Sequence, residues 1–392
     1  MKLELIDNQI LFDRLYQKAS SEPLYRFTEI SDILQEPDYL YSVVMDYISV
    51  KGMRVPGVDG INSLIWLEYP ELIARFVEEV NADFYQPAPV RGIKIPKANN
   101  KLRSIGIPTI SDRMLQTAIR RLIEPLYDFD FSPNSYGYRL GKSTHQAVKS
   151  VVEAIDEKGY RYILKCDIAN FFSSVDHNRL IEILRRRIDD LRLEEIINAL
   201  IKAEVFDGSN LCTNEIGLCQ GSALSPILSN VYLHRLDTWV DRLLQVTQGH
   251  YIRYVDDLIF LSHTACEAVA MREKIEQFLK DDLKLTLSTD PHKSYITHVN
   301  NGTTFLGWNI IRERNSSKEW VIKQRIPKSR KHLWHQRIDN LLNNSGYLLS
   351  ETHKQAIEFM LLGIQAHYQL NSTDITMRNL RAQVARHGQK NR

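Results

Sequence analysis

Cysteine is scarce in this chain, and none of it is arranged as metal modules require. Cys166, Cys212, Cys219 and Cys266 are the only four, and no two form a CxxC pair. That excludes a zinc module, and a chain of 392 residues does not need disulfide staples. The four are read as reduced thiols of a cytoplasmic protein. Long hydrophobic runs are missing too: no stretch of about 18 apolar residues occurs, so no membrane span is expected. MKLELIDNQI has no basic start before an apolar core, so no signal peptide is expected. Internal repeats and low-complexity tracts are absent. Neither sign of charge is in excess, the net being +2. What remains is an ordinary globular composition, 43% hydrophobic and 25% charged, with length enough for two or three lobes.

The near-neutral total hides a segregated distribution. Arg91, Lys94, Lys97, Lys101 and Arg103 share one acid-free stretch. Lys323, Arg325, Lys328, Arg330, Lys331 and Arg337 share a second, and Arg378, Arg381, Arg386, Lys390 and Arg392 a third. A solvated helix face accounts for many such runs, but three together favour a nucleic-acid partner.

Periodicity gives helices at Asp38–Val50 and Ser63–Val80, the latter with Ser63 as N-cap. Arg91–Ile95 and Lys101–Ile107 read as a hairpin turning at Ala98-Asn99-Asn100, with Ile93 and Ile95 on one face. Its cations either close over a polyphosphate or guard a sheet edge against pairing. Further helices are expected at Asp112–Tyr127, with Arg113, Arg120 and Arg121 on the polar face, and at Ser143–Ile155. Others are expected at His177–Arg187, with Arg185 to Arg187 facing solvent, and at Leu193–Val205. Ser225 as N-cap and Pro226 as first helical residue open a helix running to Leu244, and Glu267–Lys280 is another. Strands are expected at Leu283–Leu287, Ser294–Val299, Thr303–Asn309 and Trp320–Ile326. At Pro327 the composition shifts to basic helices, Ser329–Asn343, Glu351–Tyr368 and a tail helix, which marks a domain boundary.

Two apolar runs end in carboxylates. Tyr160–Asp167 reads as a buried strand closing on Asp167. Tyr251–Ser262, YIRYVDDLIFLS, reads as two buried strands turning tightly at Asp256-Asp257. Such a turn is either a polar hairpin tip or a metal site, since carboxylates beside a core need a cation to offset their desolvation. Between the runs lies a Gly/Ser turn, Gln220-Gly221-Ser222, ahead of a helix start. Three carboxylates at one sheet edge are a ligand set for two Mg²⁺ ions. With basic segments for triphosphate and duplex, the chemistry implied is nucleotidyl transfer to a primer 3′-hydroxyl.

IPKANNKLRSIGIP, KCDIANFFSSVDH, QGSALSPILSN, YIRYVDDLIFL, PHKSYI and FLGW follow one another in this chain. In that order they resemble the prokaryotic reverse transcriptases of the group II intron-like kind, from Pro56 to Trp308, with a weaker thumb-like match to Leu370. The resemblance implies an α+β right-hand polymerase: fingers, an antiparallel-sheet palm and a helical thumb. N-terminal helices and fingers would take residues 1–160, the palm 161–326 (part of 178–219 going to the fingers), and the basic thumb and tail 327–392. It implies Asp167, Asp256 and Asp257 as catalytic carboxylates, with the Ile168 carbonyl completing the shell of one of two Mg²⁺ ions, Mn²⁺ being the substitute. Phe172 would be the steric gate excluding a ribose 2′-hydroxyl; neighbours in an extended run face opposite ways, which makes Phe171 the core residue. Arg91, Lys97 and Arg103 would grip the triphosphate, and Gln220 and Gly221 would line the nucleotide pocket. Lys293 would protonate the leaving pyrophosphate. Phe305, Leu306, Gly307 and Trp308 would form the primer grip, with Tyr254 near the primer end.

The function implied is RNA-directed DNA synthesis from dNTPs on an RNA template and DNA primer. A dedicated non-coding RNA, a partner protein and a role in antiviral defence against phage follow by analogy alone. Ser104 and Ala223 depart from the prolines common in the group II pattern. The NAxxH and VTG signatures of retron enzymes are missing. Cysteine pairs for an HNH nuclease and length for a maturase domain are missing beyond the thumb, so a stand-alone polymerase is expected. Two alternatives remain open: a maturase-like RNA-binding protein with a structural polymerase core, and a template-independent or protein-primed DNA synthase.

Overall fold

The computed structural model describes residues 7–49, 55–82, 84–96, 102–343, 351–369 and 374–390. Helices and sheets are mixed, an α+β arrangement. The chain divides into two compact units, Met1–Ile296 and Thr297–Arg392, ahead of the composition shift at Pro327.

In the first unit the hub is the helix Ile110–Asp128, whose Met114, Ala118 and Leu122 are fully buried. Thr109 caps it, its hydroxyl accepting the Asp112 N–H at 3.2 Å. Helices Asn8–Ser21, Ile30–Gln35 and Pro37–Ser49 pack on it. Arg113 does not lie on a polar face as expected. It is buried and donates to the carbonyls of Val55 and Thr109, because the segment before the helix folds back over it. Arg187 is likewise buried, its guanidinium over the Phe129 ring. The expected helix from Ser63 is two, Ile65–Glu68 and Glu71–Asn81, broken at Pro70, which has no N–H to donate. Ser63 caps neither.

Strand β1 (Val90–Pro96) and β2 (Leu102–Ile107) form the basic hairpin, in register from Arg91 opposite Ile107 to Pro96 opposite Leu102. Its turn, with Lys97 and Lys101, lies outside the described residues. Neither isoleucine is buried, and Ile95 is 41% exposed, so this face is not a core face. β3 (Tyr162–Asp167) opens a different sheet, while β4 (Val205–Phe206) and β5 (Leu211–Cys212) extend the hairpin in the order β2-β1-β4-β5. β6 (His250–Tyr254), β7 (Asp257–Ser262) and β8 (Tyr295–His298) complete the sheet begun by β3, in the order β6-β7-β3-β8. Tyr251, Ile252, Ile259, Leu261 and Ile163 are all but fully buried. Burial on both faces is why this stretch reads as a continuous apolar run rather than an alternation. Helices Thr144–Asp156, Ser225–Leu244 and Ala265–Leu283 pack on the sheet. No strand forms at Leu283–Leu287. The helix continues to Leu283, Lys284 turns left-handed at φ 52°, and only Leu287 bridges to Ile168.

In the second unit, β9 (Thr303–Phe305), β10 (Trp308–Arg314) and β11 (Trp320–Arg325) form an antiparallel sheet. The single strand expected over Thr303–Asn309 is broken by a two-residue turn at Leu306-Gly307, with φ of 48° and 88°. Helices Lys328–Asn343, Glu351–Tyr368 and Ile375–Lys390 share a core of Trp334, Ile338, Leu361 and Leu380, against which Trp308 and Ile326 pack. Among the described residues no helix is long and apolar enough to cross a membrane.

Candidate active site

Strand pairing brings the three aspartates together. Asp167 ends β3 directly opposite Asp257, the first residue of β7. Tyr254 and Asp257 face each other across a two-residue turn, Val255-Asp256. The Ile168 N–H donates to the Asp256 carbonyl at 3.2 Å, so the turn is tied to the end of β3 as well. Val255 stands at φ 59°, a left-handed conformation that a β-branched residue rarely adopts. Beyond Asp167 the chain is pinned by two further bonds, Ser288 N to Asp167 O at 2.7 Å and Ala169 N to Thr286 O at 2.9 Å.

The carboxylates are crowded and poorly hydrated. Burial, then the charge of Asp167, raises the Asp256 pKa. Burial above all pushes Asp257 up to about 7, against the lowering effect of Lys165 and with Asp167 and Asp256 adding to the rise. Two lysines answer this charge: Lys293 donates to Asp167 Oδ2 at 2.5 Å, and Lys165 Nζ lies 3.6 Å from Asp257 Oδ1. Arg103 contributes a favourable charge at Asp256.

Among the described residues no group of three His, Cys, Asp or Glu side chains could hold a metal ion as it stands. The donor set nevertheless fits hard divalent ions. It is all oxygen, its members repel one another, and Asp257 Oδ1 is buried without a hydrogen-bond partner. To take a metal on both oxygens, Asp167 would have to be released by Lys293.

Other expected residues fall in several places. Phe172 is half-buried beside fully buried Phe171, their ring centroids 5.3 Å apart. Phe171 is the core residue as expected, but through a helical turn, Phe171–Ser174, not through strand alternation. Gln220 and Gly221 lie against β2. The Gln220 carbonyl accepts the Gly106 N–H at 2.9 Å, and a Cβ on Gly221 would stand 2.3 Å from the Gly106 carbonyl oxygen. Arg103 is exposed on β2, whereas Arg91 is at the base of β1 with its Nε buried and unpartnered. Lys97 lies outside the described residues. Phe305 to Trp308 form the β9–β10 turn of the second unit, where the Tyr368 hydroxyl donates to the Gly307 carbonyl at 2.7 Å.

Sequence reasoning missed Lys165, Arg253 and Asp237. Arg253 and Asp237 are fully buried in an ion pair below the Val255-Asp256 turn, and Lys165 is largely buried beside Asp257. For Lys165 and Arg253 the signal was available, each being the one cation within an apolar strand; Asp237 stands among other polar residues of its helix and carried no such signal.

Comparison with known proteins agrees with this arrangement. Residues 95–310, over half the chain, match the family described as reverse transcriptase (RNA-dependent DNA polymerase). Protein YkfC of Escherichia coli K12 is 31% identical over 346 residues, covering 80% of this chain and 90% of YkfC. Group II intron-encoded protein LtrA of Lactococcus lactis is 27% identical over 359 residues, covering 74% of this chain but only 58% of LtrA. A putative COX1/OXI3 intron 2 protein of Saccharomyces cerevisiae is 24% identical over 317 residues, 66% of this chain and 36% of that protein. With a family match over half its length and these relatives, the chain belongs to the reverse transcriptases, nucleotidyltransferases by family, and among them to the prokaryotic group II intron-like kind.

Proposed function

We propose that this protein is an RNA-directed DNA polymerase that adds dNTPs to a primer 3′-hydroxyl. The observation that carries the reading is the convergence of Asp167, Asp256 and Asp257 at one sheet edge inside the matched region. When bound, two Mg²⁺ ions, or Mn²⁺ in their place, supply activation of the attacking hydroxyl and neutralisation of the leaving group. Asp167 and Asp256 hold them, Asp257 supports, and the Ile168 carbonyl adds an oxygen. In this reading Lys293 gives a proton to the departing pyrophosphate, and Arg103, Arg91 and Lys97 grip the triphosphate. Phe172 excludes a 2′-hydroxyl, Gln220-Gly221 lines the nucleotide pocket, and Phe305 to Trp308 grips the primer. In this reading residues 1–160 carry fingers, 161–326 the palm and 327–392 a thumb whose basic helices follow the phosphate backbone. A dedicated template RNA and a role in phage defence belong to the same proposal and rest on analogy.

Primer extension tests it, with RNA template, DNA primer, Mg²⁺ and dNTPs, and with the Asp256→Ala, Asp257→Ala double variant beside wild type. Metal-dependent extension by wild type alone is expected. No incorporation by a well-folded wild type on any template, its co-purified RNA included, overturns the reading. A relative named maturase-like protein 1, of Euglena longa, favours a second reading, a maturase-like RNA-binding protein with a structural polymerase core. On that reading the double variant keeps its RNA affinity and its RNA-folding effect.

A further inference from the structure

We propose that Arg253 and Asp237 are positioning residues that set the Val255-Asp256 turn, and with it the Asp256 carboxylate. This rests on the polymerase reading above for its consequence, though not for its geometry. Arg253 is the last residue before Tyr254-Val255-Asp256-Asp257 and is 0% exposed. A guanidinium has five N–H donors, and each finds an acceptor here. Nε donates to Asp237 Oδ1 at 2.7 Å, and Nη2 to Asp237 Oδ2 at 2.5 Å and to Ser135 Oγ at 2.8 Å. Nη1 donates to Asn230 Oδ1 and to the Val255 carbonyl, both at 3.2 Å. Asp237 is also 0% exposed and takes the Tyr251 hydroxyl at 3.0 Å.

The network joins three elements at one point. Asn230 and Asp237 come from the helix Ser225–Leu244, and Ser135 from the loop before Gly137. That loop brackets Arg253 through its backbone, Arg253 N to Asn134 O and Tyr136 N to Arg253 O, each 2.9 Å. Its Gly137 presses on the turn. A Cβ there would come 2.6 Å from Val255 Cγ2 and 2.7 Å from Val255 N, and Asn230 Nδ2 holds the Gly137 carbonyl at 2.8 Å. Val255 is thus kept at positive φ by a carbonyl clamp from below and a glycine from the side. A buried ion pair is weak evidence for stability, since apolar replacements of equal volume are often as stable. A pair whose fifth donor is spent on the strained turn next to Asp256 has a geometric task instead. Lysine can keep the charge of Arg253 but has no planar fork to reach Asp237 and Val255 together.

The test uses the full chain with Arg253→Lys, Gly137→Ala and wild type. Four quantities are read: melting temperature, template-primer affinity, single-turnover incorporation rate, and Mn²⁺ affinity of the free protein by electron paramagnetic resonance. Both variants are expected to keep template-primer affinity within about twofold. Incorporation should fall by roughly ten- to a hundredfold, the effect of a small misplacement of a catalytic group, and Mn²⁺ should bind more weakly. Gly137→Ala reaches the turn without touching the ion pair, so it decides if Arg253→Lys does not fold. A rate loss that only tracks the unfolded fraction, with Mn²⁺ affinity at the wild-type value, overturns the proposal. The Mn²⁺ titration is independent of polymerisation, so failure of the polymerase reading and failure of this one are distinguishable.

Discussion

Replacing Phe172 with alanine should relax sugar selection while leaving the site standing. The backbone at this position does not depend on the ring. The Phe172 carbonyl accepts the Leu218 N–H at 2.5 Å, and Ser173 N donates to Asn170 O at 2.9 Å. The neighbouring Phe171 supplies the buried anchor, at 1% exposure. Truncating a fully buried Phe costs about 3–5 kcal/mol. Phe172 is only partly buried, so about 2 kcal/mol is expected, visible as a lower melting temperature without loss of fold. If Phe172 is the proposed gate, the functional effect is the loss of one steric contact with a 2′-hydroxyl, worth about 1–3 kcal/mol, or about ten- to two-hundredfold in discrimination. The assay is kcat/KM for a dNTP against the matching rNTP on one template-primer. The ratio should fall by that factor, chiefly because the rNTP value rises, and Phe172→Tyr should keep it. An unchanged ratio in a folded Phe172→Ala enzyme refutes the gate.

Gly221→Ala should raise KM for the incoming nucleotide and lower stability. The new Cβ would stand 2.3 Å from a backbone oxygen at φ 123°, whereas Gly60→Ala, at φ 72° with nothing within 4 Å, meets only the conformational cost of about 1 kcal/mol. Equal melting temperatures for the two variants would contradict the close approach of β2 and the Gln220 loop. His250 predicts an acid-side loss of stability: burial above all, then Lys158, lowers its pKa from 6.5 to about 4. Between those values the unfolded chain binds a proton that the folded chain refuses, so stability falls as pH falls through this window, by about 2–3 kcal/mol. His250→Gln retains a hydrogen-bonding partner for Ser150 Oγ, 2.9 Å from the imidazole, and should flatten that slope. Urea midpoints at pH 7 and pH 4.5 measure it, and parallel slopes for wild type and variant would contradict it.

Much of the site was legible because its signals are local. An apolar strand that ends in Asp167, and another broken by Asp256-Asp257, carry their meaning within a few residues. The helix Ser225–Leu244 could be read from its Ser-Pro start, but Leu224, not Ser225, stands at the cap position, because the Ser225 hydroxyl donates to the Cys219 carbonyl at 2.8 Å instead of capping; Glu351–Tyr368 could be read from the basic composition after Pro327. What could not be read is what only the fold brings together. Lys293 meets Asp167 across 126 residues of chain, and Arg253 meets Ser135 across 118. Arg113 and Arg187 look solvent-facing on a helical wheel and are buried because other segments cover them. Pro70 was a local signal outweighed by periodicity. Arg253 was visible in YIRYVDDLIFLS as the one cation in a buried run, a position that requires a full set of acceptors.

The most direct test is the rate of a single dNTP addition under single-turnover conditions, comparing wild type with Asp256→Asn at matched folding and template-primer saturation. If Asp256 holds the reacting metals, the rate should fall about a thousandfold or more, about 4 kcal/mol of barrier. A rate within about tenfold of wild type would contradict the assignment of DNA synthesis to this aspartate cluster.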